Sequence, residues 1–401
     1  MRHVWRRRLA VVALVVVAAC GLLSVPVVPG HAQAALAAQL AVSDAGAAVT
    51  RVVPALGSHP AGACAGLEAD FEVGNDVFKG DELGMYASVW PSVQALDALA
   101  VTSLLPGEEQ CRRDFTENLA AIDVTYWDHY LPGFPPGYDQ GPRALHVDSD
   151  LPRVDDSLWM GLALTWGYGR SGSPTLLRRA EDVFALARRD WDPRHGGVYW
   201  EEHAPGATDE AKSVVSNAPA VILGVQLYQR THRRTYLTWS ERIFDWLRAH
   251  LVNPATGLYE DSVDDATRPA TVGATTYTYN QGVMVGAMVA LSRVDPARYP
   301  LADAVRLAVR AMAYFAGHGT YGQPAFDVVW AENVLGLAGR YGNAAFAARA
   351  RRSVRLAVRA SPPRPGDLLD QGSELALGAL TRLDRPDRPD RRAWEELPFA
   401  P

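Results

Sequence analysis

The sequence predicts an all-α fold, an (α/α)6 barrel of helical hairpins. Three observations predict it: a recurring helical pair, a regular interval between pairs, and the alternation within each pair of an apolar helix with an amphipathic one. The units open at Val154-Asp155-Asp156-Ser157-Leu158-Trp159, Val215-Ser216-Asn217-Ala218-Pro219-Ala220 and Tyr277-Thr278-Tyr279-Asn280-Gln281-Gly282. Asp155 precedes Asn217 by 62 residues, and Asn217 precedes Asn280 by 63.

Each opening runs into a helix that is apolar nearly all round, as in Gly161-Leu162-Ala163-Leu164 and Val283-Met284-Val285-Gly286-Ala287-Met288. A helix without a polar face belongs inside. The second helix of each unit follows a turn at Ser173-Pro174, at Arg234-Thr235 or at Tyr299-Pro300. In the first of these Leu176, Ala180, Val183, Phe184 and Ala187 fall on one stripe at helical spacing, opposite Arg, Glu and Asp. Further helices are expected over residues 85–100, 114–130, 328–339, 343–360 and 366–383. Inner buried helices alternating with outer amphipathic ones describe a closed ring. An open solenoid of the tetratricopeptide kind would have a repeat nearer about 34 residues.

The segments around the barrel read differently. Residues 1–37 carry a basic head, MRHVWRRR, an apolar run from Leu9 to Ala19 and small-residue sites at Ala32-Gln33-Ala34 and Ala35-Leu36-Ala37, the pattern of an export signal. Val17-Ala18-Ala19-Cys20 also fits a bacterial lipobox, so the chain is expected to be secreted or held at the cell surface of a bacterium through a lipidated Cys20. Residues 38–69 read as a linker, 70–383 as the barrel domain and 384–401 as a charged, Pro-rich tail.

Loss of the four signal arginines takes the net charge from −6 to −10. An acidic chain with no basic cluster argues against nucleic acid, and against a membrane unless Cys20 is lipidated. A neutral polymer fits, and a monomer is expected. Export leaves Cys64 and Cys111 as an even pair, for which a disulfide is expected. No His or Cys cluster has zinc-ligand spacing, so neither metal nor cofactor is expected.

In a ring of this kind the inner helices share one direction, and their polar openings gather at one mouth. Asp155 and Asp156 lie there, beside Asn217 and beside Tyr279, Asn280 and Gln281. Paired carboxyl groups are the requirement of glycoside hydrolysis, one as acid and one as nucleophile or base. Taken alone, Asp-Asp at a helix start is an ordinary cap. The three amide side chains shift the balance, because burying them without partners is costly and a sugar would supply hydroxyls. Aromatics that could stack on a pyranose are Tyr199 and Trp200 in a Gly-rich loop, with Trp90, Trp127, Trp159 and Trp330 as further candidates. Core packing is the better reading for Trp159, and also for Trp239 and Trp246 on an outer helix. His195 reads as a loop hydrogen-bonder.

These residues resemble glycoside hydrolase family 76, the endo-acting α-1,6-mannanases, from about Trp90 to Leu380. The resemblance is carried by Asp155-Asp156 ahead of Trp159, by Trp191-Asp192 with Gly196-Gly197-Val198-Tyr199-Trp200, by Lys212 with Val215-Ser216-Asn217-Ala218, and by Thr278-Tyr279-Asn280-Gln281-Gly282. It implies an (α/α)6 barrel, retention of anomeric configuration and no metal. It further implies Asp155 as nucleophile, Asp156 as general acid/base, and a mannose-containing polysaccharide as substrate. Tyr199, Trp200, Asn217, Tyr279, Asn280 and Gln281 would line the sugar subsites. Two other readings share the barrel: a mannan-binding protein without turnover, and a sugar epimerase. The epimerase would use histidine bases, which the openings lack.

Overall fold

The computed structural model describes residues 63–65, 67, 71–72, 77–78, 86–128, 136–142, 153–201, 211–264, 271–361, 368–383 and 397. The export signal with Cys20, most of the linker and nearly all of the tail lie outside these. The described residues all fall in one compact unit, His59–Pro401.

Eleven helices are present among the described residues. The inner helices are α1 (Val89–Thr102), α3 (Val154–Ser171), α5 (Val214–Thr231), α7 (Thr278–Val294), α9 (Pro324–Tyr341) and α11 (Leu368–Leu383). The outer ones are α2 (Glu109–Tyr126), α4 (Pro174–Arg189), α6 (Arg234–His250), α8 (Leu301–His318) and α10 (Ala344–Ala360). Each inner helix packs on the next inner one, α1 on α3, α3 on α5, and so on to α11, which returns to pack on α1. The ring is therefore closed, and the solenoid alternative fails on the α1–α11 contact.

Small residues let the inner helices approach one another. A Cβ at Gly282 of α7 would stand 2.7 Å from the Trp330 Cα of α9, and one at Gly161 of α3 would stand 2.7 Å from a Leu223 methyl of α5. The outer helices bury one stripe each. In α4 it is Ala180, Val183, Phe184, Leu186 and Ala187, with Leu176 half-buried at its end.

The expected helices are found, with shifted ends. The second helix starts at Glu109 rather than at residue 114, because its first turn is polar and hides the periodicity, and it stops where Trp127 enters a strand. Cys64 and Cys111 are joined by a disulfide, Cα to Cα 5.7 Å, which fastens the segment before α1 to the first turn of α2. The absence of a basic cluster does not hold. Arg349, Arg351, Arg352, Arg355 and Arg359 all lie on α10, which has no acid; spread over eleven residues of sequence, they are gathered by an amphipathic helix onto its polar side.

The two ends of the ring differ in their connections. Inner-to-outer turns on the far side are short, such as Gly172 (φ 67°) between α3 and α4, where glycine supplies the left-handed cap. The first three outer-to-inner connections, at the mouth, are longer and carry strands. Strand β1 (Phe71–Glu72) pairs with β2 (Val77–Phe78), and β3 (Trp127–Asp128) with β4 (Gly137–Tyr138), both antiparallel. A three-stranded antiparallel sheet joins β5 (Ala211–Ser213), β6 (Ser262–Asp264) and β7 (Thr271–Gly273), with Lys212 opposite Val263 and Val263 opposite Val272. Strands β3 to β7 stand at the starts of α3, α5 and α7 and build the rim, while β1 and β2 precede α1.

Deep in the ring, about 12 Å below the mouth on the helical rise, Asp97 of α1 lies beside Glu332 of α9, both buried. Burial, and then the charge of Glu332, push the Asp97 carboxyl well above its usual range. A raised carboxyl stabilises the fold below its unfolded pKa and ceases to do so as pH rises through the folded one. Asp97→Asn is therefore expected to flatten the decline in melting temperature as pH rises above the ordinary carboxyl range of about 4, measured by circular dichroism.

Candidate active site

The mouth holds a cavity of about 610 Å³, within the roughly 300–1,000 Å³ typical of small-molecule sites. Its wall includes Asp155 and Asp156 from the first turn of α3, Trp200 and Asp261 from the rim, and Tyr279 and Phe326 from the starts of α7 and α9. Trp90, Trp159, Gln140 and Arg153 complete one side.

The carboxyl pair is held from two directions. The Trp200 indole Nε1–H donates to Asp155 Oδ2 at 2.9 Å, and Gln140 Nε2–H donates to Asp156 Oδ2 at 2.9 Å. The Arg153 guanidinium stacks over the Trp200 ring at 4.3 Å and forms an ion pair with Glu201. Burial pushes both carboxyls up. At Asp155 the charge of Asp156 adds to the rise and the Trp200 hydrogen bond opposes it; Asp156 is pushed up to about 6, against the pull of Gln140 and Arg153. Two close carboxyls titrate as a unit, and this one keeps a proton into the neutral range. Gln140→Ala removes a hydrogen bond that favours the charged form of Asp156, so the alkaline limb of the pH–rate profile, where a general acid loses its proton, should move upward by about one unit.

The aromatic lining is built of pairs. The Tyr279 and Phe326 rings stack at 4.0 Å, and Trp90 lies against Trp159 at 5.7 Å. The Tyr279 hydroxyl donates to Asp261 Oδ1 at 3.3 Å, and Asn280 Nδ2–H donates to the same oxygen at 2.9 Å. Burial and the negative charges of Asp261 and Asp155 push the Tyr279 phenol up, so it stays a hydrogen-bond donor.

Of the residues singled out from sequence, Asp155, Asp156, Trp200 and Tyr279 line the cavity, with Trp90 and Trp159. Three do not. Asn217 is fully buried; its Oδ1 accepts from the Val198 amide at 2.8 Å, and its Nδ2 donates to the Val198 and Ser213 carbonyls. Gln281 does the same for the next turn, accepting from the Tyr259 amide at 2.9 Å and donating to its carbonyl at 2.8 Å. The partners of these buried amides are rim backbone, not sugar. Asn280 lies one step back, holding Asp261. Tyr199 is 5% exposed, with the Lys212 ammonium 5.1 Å from its ring centre. Trp330 is core, its Nε1–H on Ser353, and Trp127 is buried against Tyr138. Trp246 is core, and its Nε1–H donates to the His195 carbonyl.

Asp261, Gln140, Arg153 and Phe326 were missed. A signal for Asp261 existed, since the rim turn before α5 and the one before α7 have the same hydrogen-bond scheme. The Asp192 amide donates to Gly197 as the Asn253 amide does to Leu258, and Trp200 donates to Ala211 as Asp261 does to Gly273. Val154 and Val214, which open α3 and α5, then donate to Trp200 and Asp261 in turn. Asp261 is thus the counterpart of Trp200 one repeat later.

A closed ring of helical hairpins whose mouth holds paired carboxyls in an aromatic-walled cavity defines a glycoside hydrolase of the (α/α)6 class. The model of the family described as Glycosyl hydrolase family 76 matches residues 74–332. The chain belongs to that family. It is 29% identical over 121 residues to the mannan endo-1,6-alpha-mannosidase DFG5 of Saccharomyces cerevisiae, a match covering 29% of this chain and 26% of that protein. It is 26% identical over 143 residues to the mannan endo-1,6-alpha-mannosidase DCW1 of Eremothecium gossypii, covering 33% and 32%. These matches thus span no more than about a third of the curated relatives. Among solved structures, the GH76A alpha-1,6-mannanase from Salegentibacter sp. HEL1_6 is similar, with a TM-score of 0.65 and 19% identity over 80% of this chain and 97% of that one. An inactive variant of that enzyme, carrying asparagine for two neighbouring aspartates and bound to alpha-1,6-mannotriose, gives a TM-score of 0.66 at 21% identity, again over 80% and 97%.

Proposed function

We propose that the chain is an exported, retaining endo-α-1,6-mannanase acting on a mannose polymer through Asp155 and Asp156. The observation that carries this reading is the pair itself: two adjacent carboxyls on the first turn of an inner helix, Asp156 buried and Asp155 half-buried, lining a cavity with aromatic walls. The names of the relatives, all mannan endo-1,6-alpha-mannosidases, support mannan as the substrate. The apolar run from Leu9 to Ala19 supports export, with Cys20 as the site of a lipid anchor if the chain is tethered.

In this mechanism an Asp155 oxygen attacks the anomeric carbon while Asp156 gives its proton to the departing glycosidic oxygen. Water, deprotonated by Asp156, then displaces Asp155. The Trp200 N–H holds one Asp155 oxygen, and the other, Oδ1, is buried without a hydrogen-bond partner. Trp200, Tyr279 and Asp261 are the nearest groups to orient the sugar, by stacking and by hydrogen bonds to ring hydroxyls.

The test is incubation of the purified mature chain with linear α-1,6-mannan. Short oligosaccharides of retained anomeric configuration are expected, and a folded protein that binds mannan without cleaving it would assign a binding role instead. Azide separates the two aspartates. With an activated mannoside, Asp155→Gly should give the glycosyl azide of inverted configuration and Asp156→Gly the retained one; the reverse pattern exchanges the roles.

A further inference from the structure

A second, smaller cavity of about 190 Å³ lies on the outer wall, between α6, α8 and the rim turn that precedes Asp261. Three arginines line it: Arg248 of α6 and Arg306 and Arg310 of α8. They are not equivalent. Arg306 is paired with Asp303, the one acid of the cavity wall. Among the described residues Arg248 and Arg310 have no carboxylate partner; the Arg248 guanidinium lies 5.8 Å from the Phe244 ring centre. Arg310 lies against the turn, where a Cβ on Gly257 would stand 2.5 Å from its Nη1. On a chain with a net charge of −6, two uncompensated guanidiniums facing one concavity are a local reversal of sign.

The floor is also built. Tyr259 lines the cavity, and Arg248 and Asp303 both act electrostatically on its hydroxyl. Its backbone is clamped by Gln281 on both its amide and its carbonyl, which fixes where the ring stands. Two guanidinium forks and a phenolic donor around a volume of several waters match a tetrahedral oxyanion. We infer that this cavity is a binding site for a phosphate group, held by Arg248, Arg310 and Tyr259 and lying outside the mannan cleft.

The phosphate can be free or an ester on a glycan, and the measurement separates the two. Inorganic phosphate, mannose 6-phosphate and mannose are titrated into the full chain at low salt in a calorimeter. Saturable one-site binding of phosphate is expected. Arg248→Ala and Arg310→Ala should each weaken it at least about tenfold with an unchanged melting temperature, because both side chains are exposed. Arg359→Ala on α10 should leave it as it is. Tighter binding of mannose 6-phosphate than of phosphate, with mannose silent, identifies the ester as the ligand; equal or weaker binding identifies free phosphate. The inference is overturned if neither phosphate compound saturates, or if Arg359→Ala costs as much as Arg310→Ala. The readout is binding, so it stands or falls separately from mannan cleavage.

Discussion

Asp155→Asn and Asp156→Asn, made singly, are each expected to lower turnover of α-1,6-mannan by at least about a thousandfold, the range lost with a nucleophile or a general acid. The melting temperature at neutral pH should hold or rise. Two like carboxyls lie side by side, and replacing either with a neutral amide relieves their repulsion and the desolvation of a charge. Asparagine keeps an oxygen for the Trp200 or the Gln140 donor. The alternative role, capping α3, predicts the opposite pairing of outcomes: little change in turnover per folded molecule and a stability loss of about 1 kcal/mol. The N-cap of α3 is Arg153, which makes no side-chain capping bond, and Val154 donates to the Trp200 carbonyl of the rim. Thermal melts and initial rates on the same samples separate the two cases.

The largest stability effect is expected at Lys212→Met. The Lys212 ammonium is fully buried and lies 2.7 Å from Asp192 Oδ2, itself fully buried. Asp192 Oδ1 also accepts from the Arg194 amide at 2.7 Å, and His195 Nδ1 lies 3.2 Å from the Oδ2 that Lys212 bonds. Although burial opposes ionisation, the Lys212 hydrogen bond and charge and the backbone donors hold the Asp192 carboxyl well below its usual range. Removing the lysine strands a charge inside the protein, which costs about 3–5 kcal/mol. For a domain of this size that corresponds to a fall in melting temperature of roughly 5–8 °C. Asp192→Asn on the Lys212→Met background should recover part of it, since an amide is cheaper to bury than an unpaired carboxylate. A depressed carboxyl stabilises the fold above its unfolded pKa and ceases to as pH falls toward the folded value, so the wild-type chain should lose this contribution only in strong acid. Turnover should fall with stability, because the turn that Asp192 anchors ends at Trp200.

The repeat was legible because sterics and burial write it into the chain. Helices enclosed on all sides, such as α3 and α7, show no polar face, and those enclosed on one side show a stripe, as α4 does. The carboxyl pair was legible as position: two adjacent acids open an inner helix, where the polar starts gather at one mouth. What was not legible was the direction of each neighbouring amide. Asn217 and Gln281 occupy helix openings like that of Asp155, yet they turn outward to tie rim backbone. A buried amide facing a peptide and one facing a hydroxyl look the same in sequence. Asp261 and Gln140 were obscure for a related reason. They come from irregular connections, where no periodicity reports which side chain points inward, and only the matching hydrogen bonds of the two rim turns reveal Asp261 as the counterpart of Trp200.

The contact between α1 and α11 also has a bearing on how the molecule is assembled. Every other seam of the ring joins segments that lie close in the chain, whereas this one joins residues more than 260 positions apart. Until α11 docks, the Gln94 and Ala95 backbone that Gly372 approaches stays open to water, and so does one flank of the chamber holding Asp97 and Glu332. Local hairpins can form early at little entropic cost, but this seam waits for the longest loop to close. Assembly therefore ends with a locking step, and the last inner helix is the bolt.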